Sequence, residues 1–435
     1  MQEKTQTFYH ILPNGAKIVC RKTHSPVVYV GIMVGAGTRN ETPACNGIAH
    51  YIEHCVFKGC TLYSSLHKPK QLTTKQIIDR VEGIGGEINA YTTKEETTFY
   101  AAVPKQYLYR TLQLLSAMVL HPTFPKRETD KELGVIYDEI ESYNDSPSEL
   151  IYDDFEALLF NGHPLCLPIL GTQRTLKHIA SKPDYALQFM AQHYRPERMV
   201  FFCQGDIKAQ AFQDNVNENV NLNVNVNENE NVNDNDNDND NDNGNKVAPG
   251  TYAAVEKTYK KHTHQAHVML GARAYEIGNP KQLGLYLLNN ILGGGSMCSR
   301  LNMSIREKHG LVYTIESQYT PLSDTGYWSI YYATEPCHRD QCRELVMNEL
   351  KRLREEELST LQLHRALRQI KGQMAISAEN RENNALAMAK LMLYHNTAPT
   401  WQQTYQQLQN ITPKQLIDIA QEVFDERLIS TLIYG

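Results

Sequence analysis

No stretch of this 435-residue chain is apolar for anything near the ~20 residues that cross a bilayer, which excludes a membrane-spanning helix. The first residues, "MQEKTQTFYHILPNG", lack an apolar segment behind a basic one, so no secretory signal is read there. No C-x-x-C pair occurs among the nine cysteines, and Cys55 and Cys60 have no further partners at zinc-finger spacing. An odd, scattered set of this kind reads as reduced, mostly buried thiols, and the expected location is the cytoplasm. No basic excess marks the chain for nucleic acid or for a membrane surface.

The formal charge of −6 is set by one segment. The tract from Asp214 to Asn245 has Asn at every odd position, nine acids and no Lys or Arg. Without it, 40 acidic residues face 43 basic ones, which is near neutrality. Asn and Asp are poor strand formers with little to bury, so the tract reads as a disordered linker. As a coil it spans roughly 30 Å. It divides the chain into residues 1–213 and 246–435, each the size of a domain.

Both parts mix strands and helices, an α+β pattern. "HILPNGAKIVCRK" reads as strand, turn, strand, with Asn14-Gly15 as the turn. "VVYVGIMVGAG" reads as a buried strand, "EINAYTTKEETTFYAAVP" as two strands about a polar turn, and "DKELGVIYDEIESYN" as a helix. The second part repeats the outline. "HQAHVMLGARAY" stands in for the buried strand, and "GYWSIYYAT" answers "TTFYAAVP". A duplicated unit is expected. The run "GGGSMCSR" lacks the G-K-[ST] ending of a phosphate loop and follows a predicted helix, which excludes that reading.

The most specific stretch is "GIAHYIEHCVFKG". On a helix, His50 and His54 are neighbours, with Cβ atoms about 5–6 Å apart, so both can reach one zinc ion at about 2.0–2.1 Å. Glu53 flanks the same face and can accept a proton from a water held there, the general-base role in metal-assisted hydrolysis. The second part has no H-x-x-E-H, so a metal site belongs to the first. A third ligand is expected from "DKELGVIYDEIESYND", where Glu132 and Glu139 are seven apart and share a helical face. Glu141 points about 200° from Glu139. Spacing leaves open which of Glu132 and Glu139 binds and which supports.

These segments, with "GGEINAYTTKEETTFYAAV", "LLFNGHPLCLPILGT" and "GGGSMCSRLNMSIREKHGLVYTI", give the chain its resemblance to the pitrilysin and insulinase family of zinc metallopeptidases. Within it, the chain resembles the branch of about 50 kDa that includes the mitochondrial processing peptidase subunits. The resemblance implies two homologous α/β sandwiches, each an antiparallel-rich sheet covered by helices, that form half of a clamshell. It implies one Zn2+ per chain, with His50, His54 and Glu139 as ligands, Glu53 as general base and Glu132 as the supporting carboxylate. Asn89 would lie on an edge strand that holds substrate backbone. Arg306 and Tyr313 would donate to the substrate carbonyl.

The activity so implied is endopeptidase cleavage of short or unfolded peptides. The alternative is a non-catalytic or partner-dependent subunit that binds peptides. Pairing as a homodimer is expected, or as a heterodimer with a related subunit. The chain departs from the family in three places. Cys55 stands where an apolar residue is usual, the tract lengthens a short linker, and extra residues around "TLYSSLHKPKQL" read as a loop insertion.

Overall fold

A computed structural model describes residues 7–64, 67–182, 184–227, 250, 252–261 and 263–435. In chain order the strands are β1 (Thr7–Ile11), β2 (Lys17–Lys22), β3 (Val27–Val34), β4 (Gly59–Ser64), β5 (His67–Thr73), β6 (Glu87–Thr92), β7 (Thr97–Pro104) and β8 (Met199–Gly205), then β9 (Glu256–Tyr259), β10 (Ala266–Ala274), β11 (Val312–Pro321), β12 (Gly326–Thr334) and β13 (Ser430–Tyr434). The helices of the first part are α1 (Ile48–Cys55), α2 (Thr74–Val81), α3 (Leu108–Leu120), α4 (Lys126–Asn144), α5 (Pro147–Leu159), α6 (Gln173–Ala180), α7 (Asp184–His193) and α8 (Ala209–Asn227). Those of the second are α9 (Gln282–Gly293), α10 (Arg339–Glu355), α11 (Thr360–Glu379), α12 (Arg381–His395), α13 (Trp401–Leu408) and α14 (Pro413–Val423).

The first compact unit is built on a six-stranded sheet in the order β1-β2-β8-β3-β7-β6. Asn14-Gly15 makes the expected turn, with Gly15 at φ 87, and β1 pairs antiparallel with β2. Strand side chains alternate between two buried faces. One face sets Ile18, Val30, Ile32, Phe99 and Phe201 against the apolar sides of α1, α3 and α8. The other sets Val19, Met33, Tyr100, Val200 and Phe202 against Ala385, Met388, Ala389 and Met392 of α12. This double burial explains why β3 and β8 are almost continuously apolar.

The second unit has a five-stranded sheet in the order β11-β12-β10-β13-β9. It matches the first sheet strand for strand, as β6-β7-β3-β8-β2. In each, the last pair is parallel, β2 with β8 and β9 with β13, and the other pairs are antiparallel. This is the expected duplication. One face packs Leu270, Trp328, Ile330 and Tyr332 against α9, α10 and α14. The other packs Met269, Tyr327, Tyr331 and Tyr434 against Ile151, Phe155 and Leu159 of α5.

The units therefore do not follow the division of the sequence at the tract. The first comprises residues 1–140, 167–245 and 378–399, and the second 141–166, 246–377 and 400–435. Each sheet takes the helix over its second face from the other part of the sequence, α12 for the first and α5 for the second.

Two expectations need correction. Residues 214–227 are not a disordered linker but the continuation of α8, with Phe212, Val216 and Val220 buried in the first unit's core. The remainder of the tract, 228–245, lies outside the described residues. The extra residues after the H-x-x-E-H helix are not a plain loop. They form an antiparallel pair, β4 and β5, that buries Cys60 and Leu72.

Candidate metal and peptide site

Helix α1 starts where the backbone needs glycine. Gly47 has φ 92, and a Cβ there would lie 2.9 Å from the Cα of Gly171. The buried amides at this helix start, which have no partner within the helix, are met by Glu41, a side chain six residues before Gly47. Its carboxylate accepts from the backbone N–H of Gly47 and of Ala49, and from the Asn46 amide, each at 2.8 Å. An acid at a helix N-terminus satisfies orphan donors and meets the positive end of the dipole. Burial pushes the Glu41 carboxyl up to about 7, against the pull of these hydrogen bonds and of Lys94.

The helix places His50, Glu53 and His54 as their spacing requires. The two imidazoles meet edge to face, with centroids 4.6 Å apart. Helix α4 brings Glu139 to them. Its Oε2 is 3.7 Å from His50 Nε2 and 3.5 Å from His54 Nε2. The three donor atoms form one cluster. Ligands bound tetrahedrally to zinc at about 2.0–2.2 Å stand about 3.3–3.6 Å from one another, so the 3.5 Å separation matches and the 3.7 Å one is about 0.1 Å wider, close enough for an ion to draw the donors in.

The electrostatics fit as well. Burial, then the neighbouring His54, push His50 down to about 4 although Glu139 opposes them, so at neutral pH its ring is uncharged. Its Nδ1 is buried with no hydrogen-bond partner among the described residues. Burial pulls His54 down, but hydrogen bonds to Glu139 and Glu132 and the charge of Glu53 leave it raised. The hydrogen bond to His54 holds Glu139 low despite burial.

The structure divides the two α4 carboxylates. Glu139 faces both Nε2 atoms, while Glu132 Oε1 lies 2.9 Å from His54 Nδ1 and its Oε2 lies 2.6 Å from Lys58 Nζ. With Nδ1 carrying the proton, His54 donates to Glu132 and turns its Nε2 lone pair to the cluster. Glu53 stands apart from the donor set. Its Oε2 accepts from Thr92 Oγ1 at 2.5 Å, and burial raises its carboxyl against the opposing effects of Thr92 and His54.

Asn89 is exposed on β6, whose only sheet partner among the described residues is β7. The β6 edge of the sheet, which packs beside α1, is thus free to pair with an added strand. In the second unit, Arg306 belongs to a π-helical turn, Asn302–Glu307, and its guanidinium lies 5.6 Å from the ring centre of Tyr313. Tyr313 is 81% exposed on β11, at a break in the register with β12.

Sequence reasoning missed Glu41, Lys58 and Thr92. Lys58 sits four residues beyond His54, a spacing that could have drawn notice. Cys55 is fully buried and its thiol is pushed up to about 12 by burial, as suits a small apolar residue. No helix among the described residues is long and apolar enough to cross a membrane.

Comparison with known proteins identifies the family. Residues 17–173 match the family described as "Insulinase (Peptidase family M16)", and residues 182–370 match "Peptidase M16 inactive domain". An uncharacterized zinc protease of Bacillus subtilis, YmxG, is 30% identical over 97% of this chain and 96% of its own length. An uncharacterized zinc protease of Streptomyces coelicolor is 27% identical over 96% of this chain and 87% of its own. The fold is similar to that of a protease from Helicobacter pylori, with a TM-score of 0.84 at 20% identity, covering 99% of this chain and 100% of that one.

Proposed function

This chain belongs to the insulinase (M16) family of peptidases, and from that premise we propose that it is a zinc-dependent endopeptidase acting on short or unfolded peptides. The observation that carries the reading is the donor set of His50, His54 and Glu139 gathered within 4.8 Å, with Glu53 on α1 beside the two histidines and one of its oxygens without a hydrogen-bond partner among the described residues.

Zinc in this place supplies Lewis-acid polarisation of the scissile carbonyl and acidifies the attacking water. The residues do the rest. Glu53 takes the proton of that water and delivers it to the leaving amine. Its burial, which raises the carboxyl, suits a group that must both accept and release a proton. Thr92 engages one Glu53 oxygen and leaves the other to turn to the water. Glu132, itself held by Lys58, fixes the His54 tautomer. The substrate backbone adds to β6 alongside Asn89, in the manner of a further strand. Arg306 and Tyr313 donate to the developing oxyanion. Their role rests on the resemblance and on the stacking that presents them together.

The test is one purified sample assayed for zinc and for cleavage of a quenched peptide, beside Glu53→Gln. About one tightly held zinc per chain in both, with cleavage in the wild type alone, is expected. Unchanged cleavage by the variant would remove Glu53 from the mechanism. Zinc without cleavage in either would favour the peptide-binding subunit.

A further inference from the structure

We propose that Glu335, Cys337 and His338 form a second zinc site, separate in sequence and in chemistry from the one on α1. Strand β12 ends at Thr334, and Pro336 opens a tight 3-10 turn, Pro336–His338, that leads into α10. The turn is closed by the His338 N–H donating to the Glu335 carbonyl at 2.9 Å. Residues three apart on such a turn eclipse one another, so the side chains of Glu335 and His338 project together, with Cys337 between them in sequence.

A thiol, an imidazole and a carboxylate thus present one donor atom each within 4.8 Å of one another. Glu335 Oε2 lies 3.7 Å from Cys337 Sγ and 3.8 Å from His338 Nδ1. The second distance is too long for a hydrogen bond. The first suits a zinc tetrahedron edge that includes sulfur, about 3.5–3.7 Å with that bond at about 2.3 Å, and the second is about 0.2 Å wider than an oxygen–nitrogen edge, so a side-chain adjustment of that size brings the donors onto an ion. The corresponding edges of the α1 cluster are 3.7 and 3.5 Å.

The ordinary alternative is a polar turn with an acid at its start. What argues for a ligand is that the three donors face one another: the Cys337 thiol donates a long hydrogen bond to Glu335, and among the described residues none of the three makes a shorter side-chain contact elsewhere. The contacts described for Glu335 are those to Cys337 and His338. All three are accessible to a metal. The Glu335 side chain is 72% exposed and that of His338 40% exposed. Cys337 is a free, exposed thiol. Binding forms a metal–thiolate bond and releases the Cys337 proton to solvent, with the fourth position left to water. The mixed soft and borderline donors favour Zn2+ over Mg2+ or Ca2+. Exposure makes it a weaker, more exchangeable site than the α1 cluster.

Cadmium is the probe, because its bond to a thiolate gives an ultraviolet charge-transfer band that a His2Glu site does not. Metal-free protein titrated with Cd2+ should show the band, and Zn2+ should compete it away. The band should persist in His50→Ala/His54→Ala and in Cys298→Ser, which removes the other exposed thiol. It should vanish in Cys337→Ser, and His338→Ala should weaken binding roughly tenfold or more. A band that survives Cys337→Ser, or no band in the wild type, overturns the proposal. Neither result touches the α1 site, whose metal is counted separately in the Cys337→Ser protein.

Discussion

Thr92, the last residue of edge strand β6, donates a 2.5 Å hydrogen bond to Glu53 of helix α1. The strand proposed to receive the peptide is therefore tied directly to the proposed base. Thr92→Val removes the donor and keeps the shape. A hydrogen bond to a charged group contributes about 1.5–3 kcal/mol, so kcat should fall roughly 10- to 100-fold. KM and zinc content should stay near wild type, and Thr92→Ser should restore most of the rate. A matching rise in KM with unchanged kcat would instead assign Thr92 to peptide binding.

Lys58 and His54 share Glu132 between them, one on each carboxylate oxygen. Glu132→Gln should weaken zinc binding about 10- to 100-fold, the usual cost of losing such a support. Lys58→Met should act in the same direction and less strongly, because Glu132 keeps its bond to His54. The measurement is zinc affinity by competition with a chelator. Equal affinities in all three proteins would mean that the His54 tautomer is set without Glu132.

The H-x-x-E-H cluster was legible in the sequence because its geometry is local, and a helix of eight residues fixes three side chains at once. The face of α4 was legible for the same reason, but not the division of work between Glu132 and Glu139. That depends on where α4 lies against α1, which no spacing encodes. Glu41 and Thr92 were invisible because their partners are distant in sequence or lie on another element. The exchange of α5 and α12 was hidden for a related reason. An apolar stripe says that a helix is covered, not which sheet covers it.

Glu41 predicts a pH dependence. Its carboxyl is raised in the folded chain to about 7, from an ordinary value near 4.5. Between these values the folded state holds more protons than the unfolded one, so stability falls as pH rises through that window. The contribution is full below about 4.5 and is lost above about 7. Glu41→Gln should flatten this part of the profile, measured as thermal midpoint against pH in chelator so that zinc does not contribute. The Gln amide also cannot accept from three donors as the carboxylate does, so helix α1 should be looser and zinc affinity lower at neutral pH. A profile unchanged by the substitution would show that Glu41 titrates at its ordinary value.

The opening of the Asn/Asp tract was misread because alternating Asn masked a second period. Phe212, Val216 and Val220 recur every four residues, a helical stripe, and all three are buried. Asn215 and Asn219 return their side-chain amides to the carbonyls four residues earlier, so even the polar positions are accommodated by the helix. Val216 is fully buried. Val216→Ala should cost about 2 kcal/mol and Val216→Asp more, since a carboxylate would enter the core without a partner. Amides from Phe212 to Val220 should be protected in hydrogen exchange, and protection should fall in Val216→Asp while distant strands such as β10 keep theirs. If these amides exchange as fast as unstructured chain in the wild type, the stripe is not helical, and α8 ends before the tract begins.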